Sequence, residues 1–118
     1  MVKLICFVKR NAALDVEEFH REWRGRHADI IRENAAARRY LVRYEQNHRL
    51  PRDYERDDDF DGVAIQWFRS ARDFFAMVAD PSFEAEVRSD ETRLLDRDGT
   101  VFVLTEEEET MIGADRAE

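Results

Sequence analysis

Cysteine occurs once in the 118 residues, at Cys6, so an intramolecular disulfide is excluded and a reducing compartment, the cytoplasm, is the expected setting. Glycine totals 4, with no GxGxxG and no P-loop, which excludes the Gly-rich cradles of nucleotide cofactors. No apolar run is long enough to cross a membrane. The opening VKLICFV is short and is followed by Lys9 and Arg10, so it reads as a strand and not as a signal peptide. An excess of basic charge is also missing: 19 Lys and Arg stand against 27 Asp and Glu, for a net charge of −8. A phosphate backbone needs a basic face, so nucleic acid is not an expected partner. The three histidines lack metal-ligand spacing. His20 and His27 lie about 10.5 Å apart along a helix axis, too far for one mononuclear site, and no structural zinc is expected.

What is present is a 43% hydrophobic chain of single-domain size, able to bury roughly two thirds of its unfolded surface. Its organising stretch is Asp15 to Asn34. Wound at about 100° per residue, Val16, Phe19, His20, Trp23, His27, Ile30, Ile31 and Asn34 share one arc, and every Glu, Asp and Arg falls outside it. Asp15 and Glu18 form a capping-box pair at its start. Gly25 costs roughly 1 kcal/mol against Ala in mid-helix and marks a possible bend. The buried stripe thus carries two imidazoles beside Trp23.

Strands are expected over Val2–Lys9, Arg39–Asn47, Phe60–Phe68 and Thr100–Thr105. In the second, Tyr40, Val42, Tyr44 and Gln46 point one way and Leu41, Arg43, Glu45 and Asn47 the other. Residues 49–59 form a long polar loop, either a flap over a pocket or solvent-exposed slack. Ser70 caps a helix that buries Ala71, Phe74, Phe75 and Val78, and Asp80-Pro81 starts another with Phe83, Val87 and Leu94 on one side. Asp90 reads as a cap there. One domain over 1–107 and a flexible acidic tail over 108–118 complete the chain.

The order β-α-β-β-α-β is the ferredoxin-like plan, an α+β fold with a four-stranded antiparallel sheet. Strands one, three and four are apolar on both faces, and the chain has nothing left to cover the second face. A second copy is the simplest cover, giving a homodimer whose sheets close a dimeric α/β barrel.

EEFHREWRGRHADI at 17–30, YEQNH at 44–48, FDGVAIQWF at 60–68 and SDETRLLD at 89–96 together resemble the EthD-domain family. The resemblance implies a dimeric α/β barrel with a pocket between sheet and helices. It also implies an apolar, aromatic or polyketide-like ligand, or support of an oxygenase; with no nucleotide motif in the chain, the default for an enzyme is a cofactor-independent dehydration, isomerisation, cyclisation or oxygenase-type step. The family's helix histidine matches His27, and the one after Gln-Asn matches His48. The chain departs from the family at Asn11-Ala12-Ala13, at Asp29 where Pro is common, and at Ile65 where many members carry Glu.

The candidate catalytic residues are therefore His27 and His48, as acid/base groups that titrate near neutrality. Trp23, Tyr40, Tyr44, Trp67 and Phe7 are the candidate pocket wall. Each has a plain structural alternative: His27 as a satisfied core histidine, His48 as a turn residue, the aromatics as ordinary core. Three functions fit: an acid/base enzyme without cofactor or metal, a non-catalytic ligand-binding or partner-supporting homodimer, and a haem binder.

Overall fold

The computed structural model of the chain describes residues 1–113. Its order is β1 (Val2–Val8), α1 (Val16–Glu22), a π turn (Trp23–His27), α2 (Ala28–Glu33), α3 (Ala35–Tyr40) and β2 (Leu41–His48). A 3-10 turn (Pro51–Glu55), β3 (Gly62–Phe68), α4 (Ala71–Ala79), a second π turn (Phe83–Arg88), α5 (Ser89–Leu94) and β4 (Val101–Thr105) follow. The strands form one antiparallel sheet, β2-β3-β1-β4, with the helices on one face. This is the expected α+β architecture.

The first helix starts as its sequence dictates. The Asp15 carboxylate accepts from the Glu18 backbone N–H at 2.7 Å, and the Glu18 carboxylate takes the Asp15 N–H at 3.1 Å. Gly25 does not break it. The helix widens into the π turn and continues, which inserts one residue into the repeat. That slip of about 100° moves Ile31 onto the buried face, where straight winding puts Ile30. Ile31 is buried, and Ile30 is only partly so.

Asn34 ends α2 with extended backbone and caps α3 by accepting the Ala37 N–H at 2.9 Å. Tyr40 is therefore the last residue of a helix, and the second strand begins at Leu41, not Arg39. An irregularity between Leu41 and Arg43 then resets the alternation. Leu41 shares the helix-covered face with Tyr44 and Gln46, and Arg43, Glu45 and Asn47 face away. On α4 the expectation for Phe75 fails as well: it is exposed, and Met77 is the buried residue.

The core lies between sheet and helices and is built on Leu4, Phe19, Trp23, Phe68, Met77 and Leu94. Ile5, Phe7, Val63, Ile65, Trp67, Val101 and Val103 lie on the opposite face, which no helix covers. Arg43 stays on that face, 2.6 Å from Glu45 of its own chain. The 49–59 loop is stitched down. Arg49 donates to the Asp53 carboxylate at 2.6 Å and to the Phe60 carbonyl at 2.9 Å, and Tyr54 donates to Asp61 at 2.6 Å. Beyond β4, Glu108 pairs with Lys3. Of the acidic tail expected over 108–118, residues 114–118 lie outside the described residues.

Candidate functional site

A cavity of about 190 Å³ opens between the helix layer and the sheet. Its wall is mostly apolar, with Cys6, Trp23, His27, Tyr44, Gln66 and Glu91 among the lining residues. Trp23 is placed by a close approach: a Cβ on Gly62 would stand 2.7 Å from the indole ring and 2.5 Å from the Asn47 carbonyl oxygen. Only a residue without a side chain lets the ring lie on β3 there.

His27 closes the first π turn. Its Nδ1 lies 2.8 Å from the Asp90 carboxylate on α5, and both side chains are buried. Asp90 also takes the Arg93 Nε–H at 3.0 Å, with Arg26 3.7 Å away. An ionised carboxylate only accepts, so Nδ1 carries the hydrogen and Nε2 keeps its lone pair. Nε2 has no hydrogen-bond partner among the described residues. Burial holds the His27 imidazole below its ordinary range, with the Asp90 hydrogen bond opposing only in part, so the ring is a neutral base at neutral pH. Burial would raise the Asp90 carboxyl, but the His27 and Arg93 hydrogen bonds outweigh it and hold Asp90 below the usual carboxylate range. The arrangement is a base, oriented by a carboxylate, at the wall of an apolar chamber.

Two further groups face the same space. Gln46 Nε2 donates to the Tyr44 hydroxyl oxygen at 2.9 Å, and the Tyr44 O–H has no acceptor among the described residues. Burial pushes the Tyr44 phenol up to about 12, against hydrogen bonds from Gln46 and Trp23, so it stays a donor. Glu91 lies beside Asp90 in sequence and lines the cavity. Burial raises its carboxyl, against Arg88 and Arg97. The Cys6 thiol, pushed up to about 12 by burial and by Glu91, is an inert wall atom.

Of the residues singled out from sequence, Trp23, His27 and Tyr44 line the cavity. His48 lies outside it, its ring 4.4 Å from the Trp23 ring, and lines a surface depression with His20. Tyr40 packs against the core from α3 with Arg39 over its ring. Phe7 and Trp67 lie on the uncovered sheet face, Trp67 with Lys3 and Arg43 over its ring. Asp90, read above as a helix cap, is a buried acid bonded to His27. Both members of that pair sit at or just past a π turn, and such an insertion is invisible to a fixed helical period.

A β2-β3-β1-β4 antiparallel sheet with its helices on one face, enclosing a small apolar chamber with a His–Asp pair, defines a ferredoxin-like α+β protein with an interior site. The chain belongs to the EthD domain family, whose model matches residues 11–98. No curated protein matches it by sequence. Among solved structures it is similar to a mutant of SnoaB, a cofactor-independent oxygenase from Streptomyces nogalater, at 16% identity and a TM-score of 0.62, over 93% of this chain and 95% of that one. A hydroxynitrile lyase from Passiflora edulis is similar at 16% identity and a TM-score of 0.61, over 94% and 96%. A hypothetical Arabidopsis thaliana protein is similar at 11% identity and a TM-score of 0.65, over 94% and 91%. At these identities the likeness establishes the fold.

Proposed function

We propose that this chain is a small-molecule enzyme that performs cofactor-independent acid/base chemistry, with His27 as general base. The observation that carries this reading is the His27 ring itself: it lines an apolar cavity, its Nδ1 is tied to a buried carboxylate, and its Nε2 has no hydrogen-bond partner among the described residues. Tyr44 donates its O–H to an oxygen of the ligand, and Glu91, at the same wall, is the candidate proton donor. A base and a hydrogen-bond donor in one largely apolar chamber suit removal of a proton from a carbon next to a carbonyl, the donor stabilising the oxyanion that forms. A neighbour described as a cofactor-independent oxygenase and another as a hydroxynitrile lyase are compatible with chemistry of this kind.

The chamber of about 190 Å³ is below the roughly 300–1,000 Å³ of drug-sized sites, which favours a small aromatic or apolar ligand. A haem overfills it. The uncovered apolar sheet face supports a homodimer closed across Ile5, Ile65 and Val103. His48, candidate acid/base in the sequence, has no contact with the chamber in this reading and acts on it only from outside.

The test is His27→Gln. A panel of phenols and small aryl ketones is screened for binding by calorimetry and for turnover. His27→Gln is expected to keep ligand affinity within a few-fold and to lower turnover about 10²–10⁴-fold. Turnover that survives unchanged removes His27 from the chemistry. Binding without turnover in the unaltered chain favours the non-catalytic ligand-binding homodimer.

A further inference from the structure

Outside the chamber, a series of polar side chains runs from Tyr44 to a fully buried carboxylate. Gln46 Nε2 donates to the Trp23 carbonyl at 2.7 Å and to the Tyr44 hydroxyl at 2.9 Å. A carbonyl oxygen only accepts, so the amide cannot be turned round. Gln46 Oε1 then faces His48 Nε2 at 2.9 Å, which must carry a hydrogen. His48 Nδ1 faces His20 Nδ1 at 2.7 Å, and His20 Nε2 faces the Tyr54 hydroxyl at 3.0 Å. That hydroxyl donates to Asp61 Oδ1 at 2.6 Å.

The four contacts between Gln46 and Asp61 need one hydrogen each. Two neutral imidazoles and one phenol together bring only three. The series is one proton short, between two ends that both accept. Asp61 already takes the Arg10 guanidinium at 2.7 Å and the Arg10 backbone N–H at 2.8 Å, so the missing proton belongs on the imidazoles.

We propose that His20 and His48 form one proton-binding site, an imidazole–imidazolium pair whose occupancy fixes Gln46 and, through it, the Tyr44 hydroxyl at the chamber wall. His48 and His20 are thus positioning residues, and their role toward a ligand rests on the reading of Tyr44 given above. With the proton bound, all four contacts are made. Without it one must open, and opening at Gln46 leaves the amide that holds Tyr44 anchored only by the Trp23 carbonyl.

The surroundings pull both ways. Burial and the Arg24 guanidinium of the π turn draw the His48 ring down, to about 4. Burial acts likewise on His20, with Arg24 and Arg10 against its proton and Asp61 for it. Asp15 and Glu17 line the same depression from the helix start. Arg49, over the Tyr54 ring, is occupied by Asp53 and Asp57. Completing the chain of charge-assisted hydrogen bonds acts in the opposite sense and favours the bound proton.

The experiment is a pH titration of the ¹⁵N-labelled full chain, following Nδ1 and Nε2 of each imidazole from pH 4 to 8. The expected result is one step, shared by His20 and His48, with its midpoint below the ordinary histidine range and no second proton entering the pair. Tyr54→Phe removes two contacts and leaves two for two hydrogens. It should lower the pair's proton affinity about tenfold while the backbone amide spectrum stays native. Independent titration of the two rings, a His48 ring that is neutral throughout, or a midpoint that Tyr54→Phe does not move, each overturns the proposal. Tyr44→Phe separates it from the functional reading: the pair's titration should persist even where Tyr44 proves irrelevant to any ligand.

Discussion

Replacing Asp90 by Asn keeps the shape of the residue and removes the charge that orients His27. The carboxylate accepts from His27 Nδ1 at 2.8 Å and from Arg93 Nε at 3.0 Å, in a place where its side chain is 4% accessible. An amide has one accepting end. If that end stays on Arg93, the NH₂ faces His27 and forces the ring hydrogen from Nδ1 to Nε2, which turns the base into a donor. If it turns to His27, two donors face each other at Arg93. Either way the carboxylate's charge is withdrawn from a buried hydrogen bond, about 1.5–3 kcal/mol, and the forced change of tautomer in the first arrangement or the donor mismatch in the second brings the cost to about 2–4 kcal/mol. Arg93 keeps a second partner in Glu22, 3.1 Å away, so a larger loss is not expected. At about 4 °C per kcal/mol for a domain of this size, the midpoint of thermal unfolding should fall by roughly 8–16 °C. Urea unfolding gives the free energy directly, and ¹⁵N shifts of the His27 ring report the tautomer. A loss under about 1 kcal/mol with the hydrogen still on Nδ1 would refute the claim that Asp90 orients this base.

Other perturbations test other parts of the structure. Gly62→Ala places a methyl group against the Trp23 ring and the Asn47 carbonyl, and should destabilise the fold by about 1–3 kcal/mol, read by urea unfolding. Acid should weaken the native chain from near pH 6.5 downward: burial lowers the His27 imidazole, so the unfolded chain takes a proton that the native one refuses. Its stabilisation is complete above the unfolded value and is lost as pH falls through that range; in Asp90→Asn, without the carboxylate that favours the imidazolium, the loss extends to lower pH. Val103→Glu puts a charge at the centre of the uncovered sheet face opposite Ile5. Sedimentation should show a dimer for the unaltered chain at micromolar concentration and a monomer for the variant; an unaltered chain that sediments as a monomer refutes the closed dimer.

The sequence alone determined the layers of this protein. The order β-α-β-β-α-β, the capping pair Asp15 and Glu18, the cap at Ser70 and the apolar character of both faces of β1, β3 and β4 follow from local rules, because caps, periods and turns act over a few residues. The same rules put His27 and Trp23 on one buried face, and both line the chamber. Only the tertiary structure decided what His27 is bonded to. Asp90 is 63 positions away, and its placement depends on two π turns and on the packing of α5 against the first helix, none of which a fixed helical repeat encodes. The irregularity at Leu41–Arg43 likewise resets which side chains of β2 face inward, and the pairing of His48 with His20 joins a strand end to the last turn of α1. Local preferences are summed along the chain, whereas a buried polar pair exists only where two distant segments exclude water between them, and that is a property of the fold.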